Sequence, residues 1–279
     1  MREFGYRRAT DVAGAVALLG ADPDARFLGG GTNLVDLMKS GVERPARLVD
    51  IRGLPLDGIE STPEGGLRIG ATVTNGDLAA HPEVRRRYPA LAQAVLAGAS
   101  GQLRNMATVG GNLLQRTRCG YFTDVTRPCN KRVPGSGCPA VAGEHHNHAI
   151  LGASGHCVAV HPSDMAVALT AFDATVHFET ADGAGELPLA GFYLPVGDTP
   201  HRETALPPGA LITAITLPPA PGRRQLPLPQ GARAGLVRVR HRLGRRRAGG
   251  PGRRRPGGAP GPGRRRLPSV AGRRRPSAS

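Results

Sequence analysis

A compositional break after Pro219 fixes how much of this chain can fold. Of the 60 residues at 220–279, 46 are Gly, Ala, Pro or Arg, and none is Ile, Phe, Tyr, Asn or Thr. Such a segment buries too little apolar surface to offset roughly 1–2 kcal/mol of backbone entropy per ordered residue, so disorder is expected there. The same segment holds 18 Arg and no Asp, Glu or Lys. Of the chain's 37 basic and 21 acidic residues, 19 basic and all 21 acidic residues therefore lie in 1–219, a net of −2. The overall charge of +16 belongs to the tail. A nucleic-acid-binding reading rests on that tail alone, and the absence of Lys and of interleaved aromatics weakens it.

No run of 18 apolar residues occurs, so no membrane span is expected. The opening MREFGYRRAT lacks an apolar h-region, so the chain is expected to have no signal peptide of its own and to be cytoplasmic, or periplasmic only if carried by a partner subunit's export signal.

Hydrophobic periodicity and punctuation divide the rest. Residues 10–20 read as a helix capped by Thr10, with Val12, Val16 and Leu19 on one face and Gly20 at its end. Residues 26–28 read as a strand running into a Gly-rich turn, 34–40 as a helix closed by Gly41, and 47–51 as a strand. Residues 1–53 thus form a βαβ-like unit. Beyond it, 67–71 reads as a strand, and 75–80 and 82–99 as helices. Strands are expected at 158–160, 174–178 and 211–217, and a helix capped by Ser163 through 172. These make a second unit, 54–219. The fold class is α+β.

Two loops carry candidate chemistry. The first is Phe27-Leu28-Gly29-Gly30-Gly31-Thr32-Asn33-Leu34. Glycines let the backbone turn sharply and approach a ligand. The helix start that follows offers N–H groups to a phosphate. The pattern is not G-x-G-x-x-G, so a Rossmann site is not supported. The second is Ala107-Thr108-Val109-Gly110-Gly111-Asn112-Leu113, preceded by Arg104-Asn105. Each alone also reads as a plain strand–helix turn. Together they suit a dinucleotide, which has two phosphates to hold.

In this order, FLGGGTNLVDLM, the segment Ala71 to Ala79, LRNMATVGGNLLQ and HPSDMAVAL resemble the flavin subunits of the xanthine dehydrogenase family of molybdenum hydroxylases. The resemblance covers 1–219. It implies the two-subdomain FAD-binding fold shared with vanillyl-alcohol oxidase, with 1–53 as the first subdomain and 54–219 as the second. It implies that FAD is held by Leu28, Gly29, Gly30, Gly31, Thr32 and Asn33, then by Thr108, Gly111, Asn112 and Leu114. Asp164 matches an adenosine-side acid, although an Asp after a capping Ser is also an ordinary helix start. Leu211 and Ile212 match an apolar pair near the flavin ring, and equally suit a strand core. The implied activity is electron transfer. A molybdopterin-binding large subunit oxidises an aldehyde or heterocycle, and [2Fe–2S] centres on a small subunit pass the electrons to FAD. No residue of this chain is assigned a catalytic role. A stand-alone FAD oxidase of the same fold is the alternative, but it often links its flavin through His or Cys, and no such position is evident near either loop.

Four cysteines, Cys119, Cys129, Cys138 and Cys157, fall between Asn112 and Ser163, within an insert at 115–160. The paired C-x2-4-C spacing of zinc sites is absent. Unconnected thiols are one reading. The resemblance implies the other, because a subgroup of bacterial aldehyde oxidoreductases carries a [4Fe–4S] cluster in this insert. Such a cluster takes four thiolates. Of the nearby His145, His146, His148, His156 and His161, most are expected to be surface or hydrogen-bonding residues.

The tail has one further property. Gly, Ala, Pro and Arg have codons that begin with two G/C bases, so their excess suggests GC-rich DNA read out of frame. Read one base later, permitted codons for residues 224–240 allow Ser-Tyr-His-Tyr-Leu-Lys-Val-Arg-Glu-Arg-Ala-Ser-Tyr-Glu-Phe. That peptide resembles the family's continuation into a C-terminal domain. A frameshift near Arg223 is therefore expected.

Overall fold

The computed structural model describes residues 1–220, so the segment expected to be disordered lies outside the described residues apart from Ala220. The first sheet is parallel, with order β1-β3-β2, where β1 is Gly5–Arg8, β2 Ala25–Leu28 and β3 Arg47–Asp50. Helix α1 (Val12–Gly20) joins β1 to β2, and α2 (Leu34–Ser40) joins β2 to β3. Ala15 and Val16 of α1 bury against Val49 of β3 and Ile51. Asp11, rather than Thr10, caps α1: its Oδ1 accepts the Gly14 N–H at 2.7 Å. Thr10 instead spends its hydroxyl on the Asp11 carboxylate at 3.0 Å. Gly41 closes α2 in the left-handed region, as its sequence position predicts.

The second sheet is antiparallel, with order β4-β5-β8-β6-β7. Its strands are β4 (Ile59–Ser61), β5 (Leu67–Gly70), β6 (Thr175–Thr180), β7 (Gly183–Pro188) and β8 (Leu211–Leu217). Helices α3 (Asn75–Ala80), α4 (Pro82–Arg87), α5 (Pro89–Ala97), α6 (Gly101–Arg104) and α7 (Val109–Leu113) follow β5. Next come the short α8 (Gly120–Thr123) in the insert and α9 (Asp164–Ala171) before β6. Leu78, Leu91, Leu113 and Leu169 from these helices bury against Ile69, Val176 and Ile215 of the sheet, forming the main core.

Two expected elements change. The helix expected over 82–99 breaks at Tyr88, whose φ −127 and ψ 54 leave the helical region. Tyr88 precedes Pro89, whose ring disfavours the helical conformation there. The Tyr88 ring is buried, and its hydroxyl donates to the Pro218 carbonyl at 2.5 Å. No strand forms over 158–160. That segment leads into Pro162, and its groups are used elsewhere: the Ala159 N–H donates to Cys157 Sγ at 3.4 Å, and the Val158 carbonyl accepts from Ala149 at 2.8 Å.

Candidate functional site

The first Gly loop leaves the end of β2. Gly31 takes φ 73, which an L side chain rarely adopts. The next glycine constraint is spatial. A Cβ on Gly30 would lie 1.6 Å from the Met106 carbonyl oxygen and 3.0 Å from the Ala107 nitrogen. The two loops, far apart in sequence, therefore touch backbone to backbone. A Cβ on Gly29 would meet Thr108 Oγ1 at 2.9 Å, at the same junction.

The second loop is fixed from beneath. The Asn75 N–H donates to the Ala107 carbonyl at 2.8 Å. Val109 and Gly110 N–H groups donate to the Val73 and Ala71 carbonyls, both at 2.9 Å. Thr108 caps α7 by accepting the Gly111 N–H at 3.3 Å. Asn112 Oδ1 accepts from the Ser163 hydroxyl at 2.5 Å and from Gln115 Nε2 at 3.0 Å. Ser163 caps α9 through the Ala166 N–H at 2.9 Å, so Asp164 begins a helix tied to the second loop. Leu114 is exposed.

Asn33 closes the arrangement. It stands at the start of α2 but makes no side-chain cap there. Its Oδ1 accepts instead from the Arg116 N–H at 2.9 Å. The structure thus brings together the first loop, the second loop and the Ser163–Asp164 helix start. Leu211 and Ile212 lie on β8, where Ile212 shares the core with Val109 and Leu113 of the second loop's helix. Leu211 is buried with α1 and the parallel sheet, and Ile212 with the helices over the antiparallel sheet.

A cavity of about 450 Å³ opens beside the second loop, with Arg52, Thr72, His81, Met106 and Thr108 in its lining. Thr72 Oγ1 and His81 Nδ1 are buried there with no hydrogen-bond partner among the described residues. Arg52 is held by Asp50, which accepts at 3.0 and 2.8 Å. Burial pushes the Asp50 carboxyl up, but hydrogen bonds from Arg52 and Tyr6 outweigh it and hold it well below the usual carboxylate range.

None of the four cysteines forms a disulfide. Cys119, Cys129 and Cys157 pack with Phe122, Ala159 and Leu37, the last contributed by α2. Burial pushes the Cys119 thiol up, the Phe122 and Tyr121 N–H groups oppose it, and charge on Cys129 or Cys138 adds to it. Burial likewise pushes Cys157 up, opposed by the Ala159 N–H and Lys131 and reinforced by Cys138 and Cys129. Cys119 and Cys157 are thus each within electrostatic reach of Cys129 and Cys138. Among the described residues, no three Cys, His, Asp or Glu converge tightly enough for a single metal ion. A tetrahedral zinc with bonds of about 2.3 Å needs sulfurs roughly 3.8 Å apart. Four thiols in one insert, three of them buried together, are a donor set of the kind that a larger inorganic group takes.

Sequence reasoning missed what joins these parts. Arg116 reaches Glu43 at 2.9 Å and also pairs with Glu203, and its guanidinium lies over the Phe122 ring, 4.8 Å from the centroid. Lys131 is buried and donates to Glu203 at 2.8 Å and to the Pro200 carbonyl at 2.9 Å. His161 and the Tyr193 hydroxyl both meet the Leu113 carbonyl, at 3.1 and 3.0 Å. Burial pushes the Tyr193 hydroxyl well up and the His161 imidazolium down. One signal was present for Arg116: it lies four residues after Asn112, at the mouth of the insert.

Two sheets joined by a pair of interlocked glycine loops define a flavin-binding domain, and the chain belongs to the family described as the FAD binding domain in molybdopterin dehydrogenase, whose profile matches residues 2–220. Over 227 residues it is 56% identical to the aldehyde oxidoreductase FAD-binding subunit PaoB of Escherichia coli (strain K12), covering 81% of this chain and 71% of that one. It is 41% identical over 113 residues to the carbon monoxide dehydrogenase medium chain of Hydrogenophaga pseudoflava, covering 39% of each. Its fold is similar to that of the reconstituted CO dehydrogenase from Oligotropha carboxidovorans, with a TM-score of 0.58 at 26% identity, covering 79% of this chain and 60% of that one. The chain thus spans less than two thirds of these carbon monoxide dehydrogenase chains. Its relatives are oxidoreductase subunits. Among the described residues, no helix is long and apolar enough to cross a membrane.

Proposed function

We propose that this chain is the FAD-binding, electron-transferring subunit of a molybdenum-containing aldehyde or xanthine-type oxidoreductase. The observation that carries the reading is the fit of Gly30 against Met106 and Ala107, which makes the two Gly loops one cradle. In this reading Leu28, Gly29, Gly30, Gly31, Thr32 and Asn33 hold one side of the pyrophosphate. Thr108, Gly111, Asn112 and Leu114 hold the other, and backbone N–H groups supply the donors. Asp164 faces the adenosine end, and Leu211 and Ile212 back the flavin region from within the cores. The protein groups bind and tune the flavin, and the cofactor supplies the redox chemistry. Cys119, Cys129, Cys138 and Cys157 hold a [4Fe–4S] cluster. A molybdopterin-binding large subunit and a [2Fe–2S] small subunit are the partners, in the cytoplasm. Flavin content after purification, wild type against Gly111→Val, tests the cradle, and near-normal flavin in the variant overturns it.

The tail belongs to the same reading as an out-of-frame segment beginning near Arg223. The support for this is the composition of 220–279, where 46 of 60 residues are Gly, Ala, Pro or Arg. Resequencing the coding DNA tests this. If the present frame is confirmed and deletion of 220–279 abolishes a nucleic-acid interaction, the tail is a real arm.

A further inference from the structure

Five histidines lie in or beside the insert. His145 meets the Gly143 carbonyl, His146 meets Asn147 and Glu144, and His161 meets the Leu113 carbonyl, the Ser163 N–H and the Tyr193 ring, while His156 is exposed. His148 differs. Its Nε2 lies 3.1 Å from Cys119 Sγ. Its Nδ1 is buried with no hydrogen-bond partner among the described residues. A thiolate bound to a cluster can only accept, so in that state Nε2 carries the proton and donates it to the sulfur.

The backbone holds this orientation. The His148 N–H donates to the His145 carbonyl at 2.9 Å, closing a turn. The next residue, Ala149, donates to the Val158 carbonyl at 2.8 Å, beside Cys157. His148 is thus clamped between the segments that carry two of the four cysteines.

We propose that His148 is a positioning and tuning residue for the Cys119 sulfur, donating an N–H···S hydrogen bond that raises the reduction potential of the cluster. This rests on the reading that the four cysteines hold one. Reduction adds an electron, and the extra negative charge spreads onto the sulfurs. A donor to one sulfur stabilises that state more than the oxidised one, and hydrogen bonds to sulfur are among the levers that set such potentials. The Tyr121 and Phe122 N–H groups also reach this sulfur, but they belong to the backbone. Of the donors to this sulfur, His148 is the one that a substitution can remove.

The test compares wild type, His148→Leu and His148→Gln, each as the full chain purified anaerobically. Iron and acid-labile sulfide are assayed first. Reductive titration followed by electron paramagnetic resonance then gives the potential. All three proteins should carry equal iron. In His148→Leu the reduced-to-oxidised ratio at a fixed potential should fall about tenfold, the weight of one hydrogen bond to a charged group, which is about 59 mV for a one-electron couple. His148→Gln keeps a donor of similar reach and should recover part of that shift. A fully loaded His148→Leu protein with the wild-type potential overturns the proposal. So does loss of iron from both variants, which would make His148 a ligand or a prop. Wild type without iron overturns the cluster reading itself, and is told apart because no variant is needed to see it.

Discussion

Replacing Gly30 with Ala tests the junction on which the cradle depends. The added methyl would sit 1.6 Å from the Met106 oxygen, where ordinary contact begins at 3.4 Å, so the loops must part by about 1.8 Å. Neither loop is free to give way. The Ala107 carbonyl accepts from Asn75 at 2.8 Å, and an outward shift of that size breaks the bond. On the other side, the Leu28 carbonyl accepts from Ile51 at 3.1 Å. Overpacking of this kind costs about 1–3 kcal/mol, and a lost buried hydrogen bond about 1 kcal/mol more. At about 2–4 °C per kcal/mol for a domain of this size, Tm should fall by roughly 5–15 °C. Donors displaced by that distance no longer reach a phosphate. Losing one charge-assisted bond of about 1.5 kcal/mol weakens FAD binding by at least about tenfold.

The assays are thermal unfolding and FAD affinity by flavin fluorescence quenching. Gly20→Ala is the matched control, because a Cβ there meets nothing within 4 Å. It stands at the end of α1 and should leave Tm unchanged or slightly raised. If Gly30→Ala keeps wild-type Tm and wild-type FAD affinity, the loops do not meet as described and the cradle argument fails.

Gly111→Val separates binding from folding. A Cβ there meets only the Thr108 hydroxyl at 2.9 Å, so Tm should move by a few degrees while flavin content falls several-fold or more. In Cys129→Ser, iron should be lost after anaerobic purification, and stoichiometric zinc in the wild type would sink the cluster reading. Acid should destabilise the fold through two part-buried histidines. Burial lowers the His161 and His177 pKa values, with Arg68 adding to the effect at His177. The unfolded chain then takes up protons first, near about pH 6.5, so stability present above that pH is lost as pH falls below it. Tm should hold between pH 7 and 8 and decline below about 6.5, and less steeply in His177→Gln. An identical decline in that variant would show that His177 does not contribute.

Local chemistry explains which elements were readable. The limits of α2, α3 and β8 follow from sequence because Gly41, Thr74 and the Leu211–Leu217 apolar pattern act within a few residues. Strands β1, β4 and β7 have no such signal. The sequence of β7, Gly183–Pro188, looks like a turn, and only its ladder with β6 makes it a strand. The break at Tyr88 is legible in Pro89, although the apolar periodicity runs on through it. In the site, the glycines of both loops announced themselves. The need for Gly30 did not, since it comes from a carbonyl 76 positions away in the chain. His148 was one of five histidines of similar appearance until its distance to Cys119 set it apart.

Arg116 links the two halves of the proposed function. Its N–H fastens Asn33 of the first loop, and its guanidinium pairs with Glu43, just beyond α2, and with Glu203, which also holds the buried Lys131. Lys131 in turn acts on Cys157, and Leu37 of α2 packs among the cysteines. A single helix thus carries the proposed phosphate loop at one end and a wall of the cysteine pocket along its side. In Arg116→Ala, Glu43 and Glu203 would be left part-buried with one cation fewer between them, which costs more than the loss of an exposed pair. The expected result is a joint one, with flavin and iron content falling together although Arg116 is proposed to bind neither. Loss of flavin alone would mean that the insert is anchored independently of the loop, and that the two cofactor sites share a chain without sharing a support.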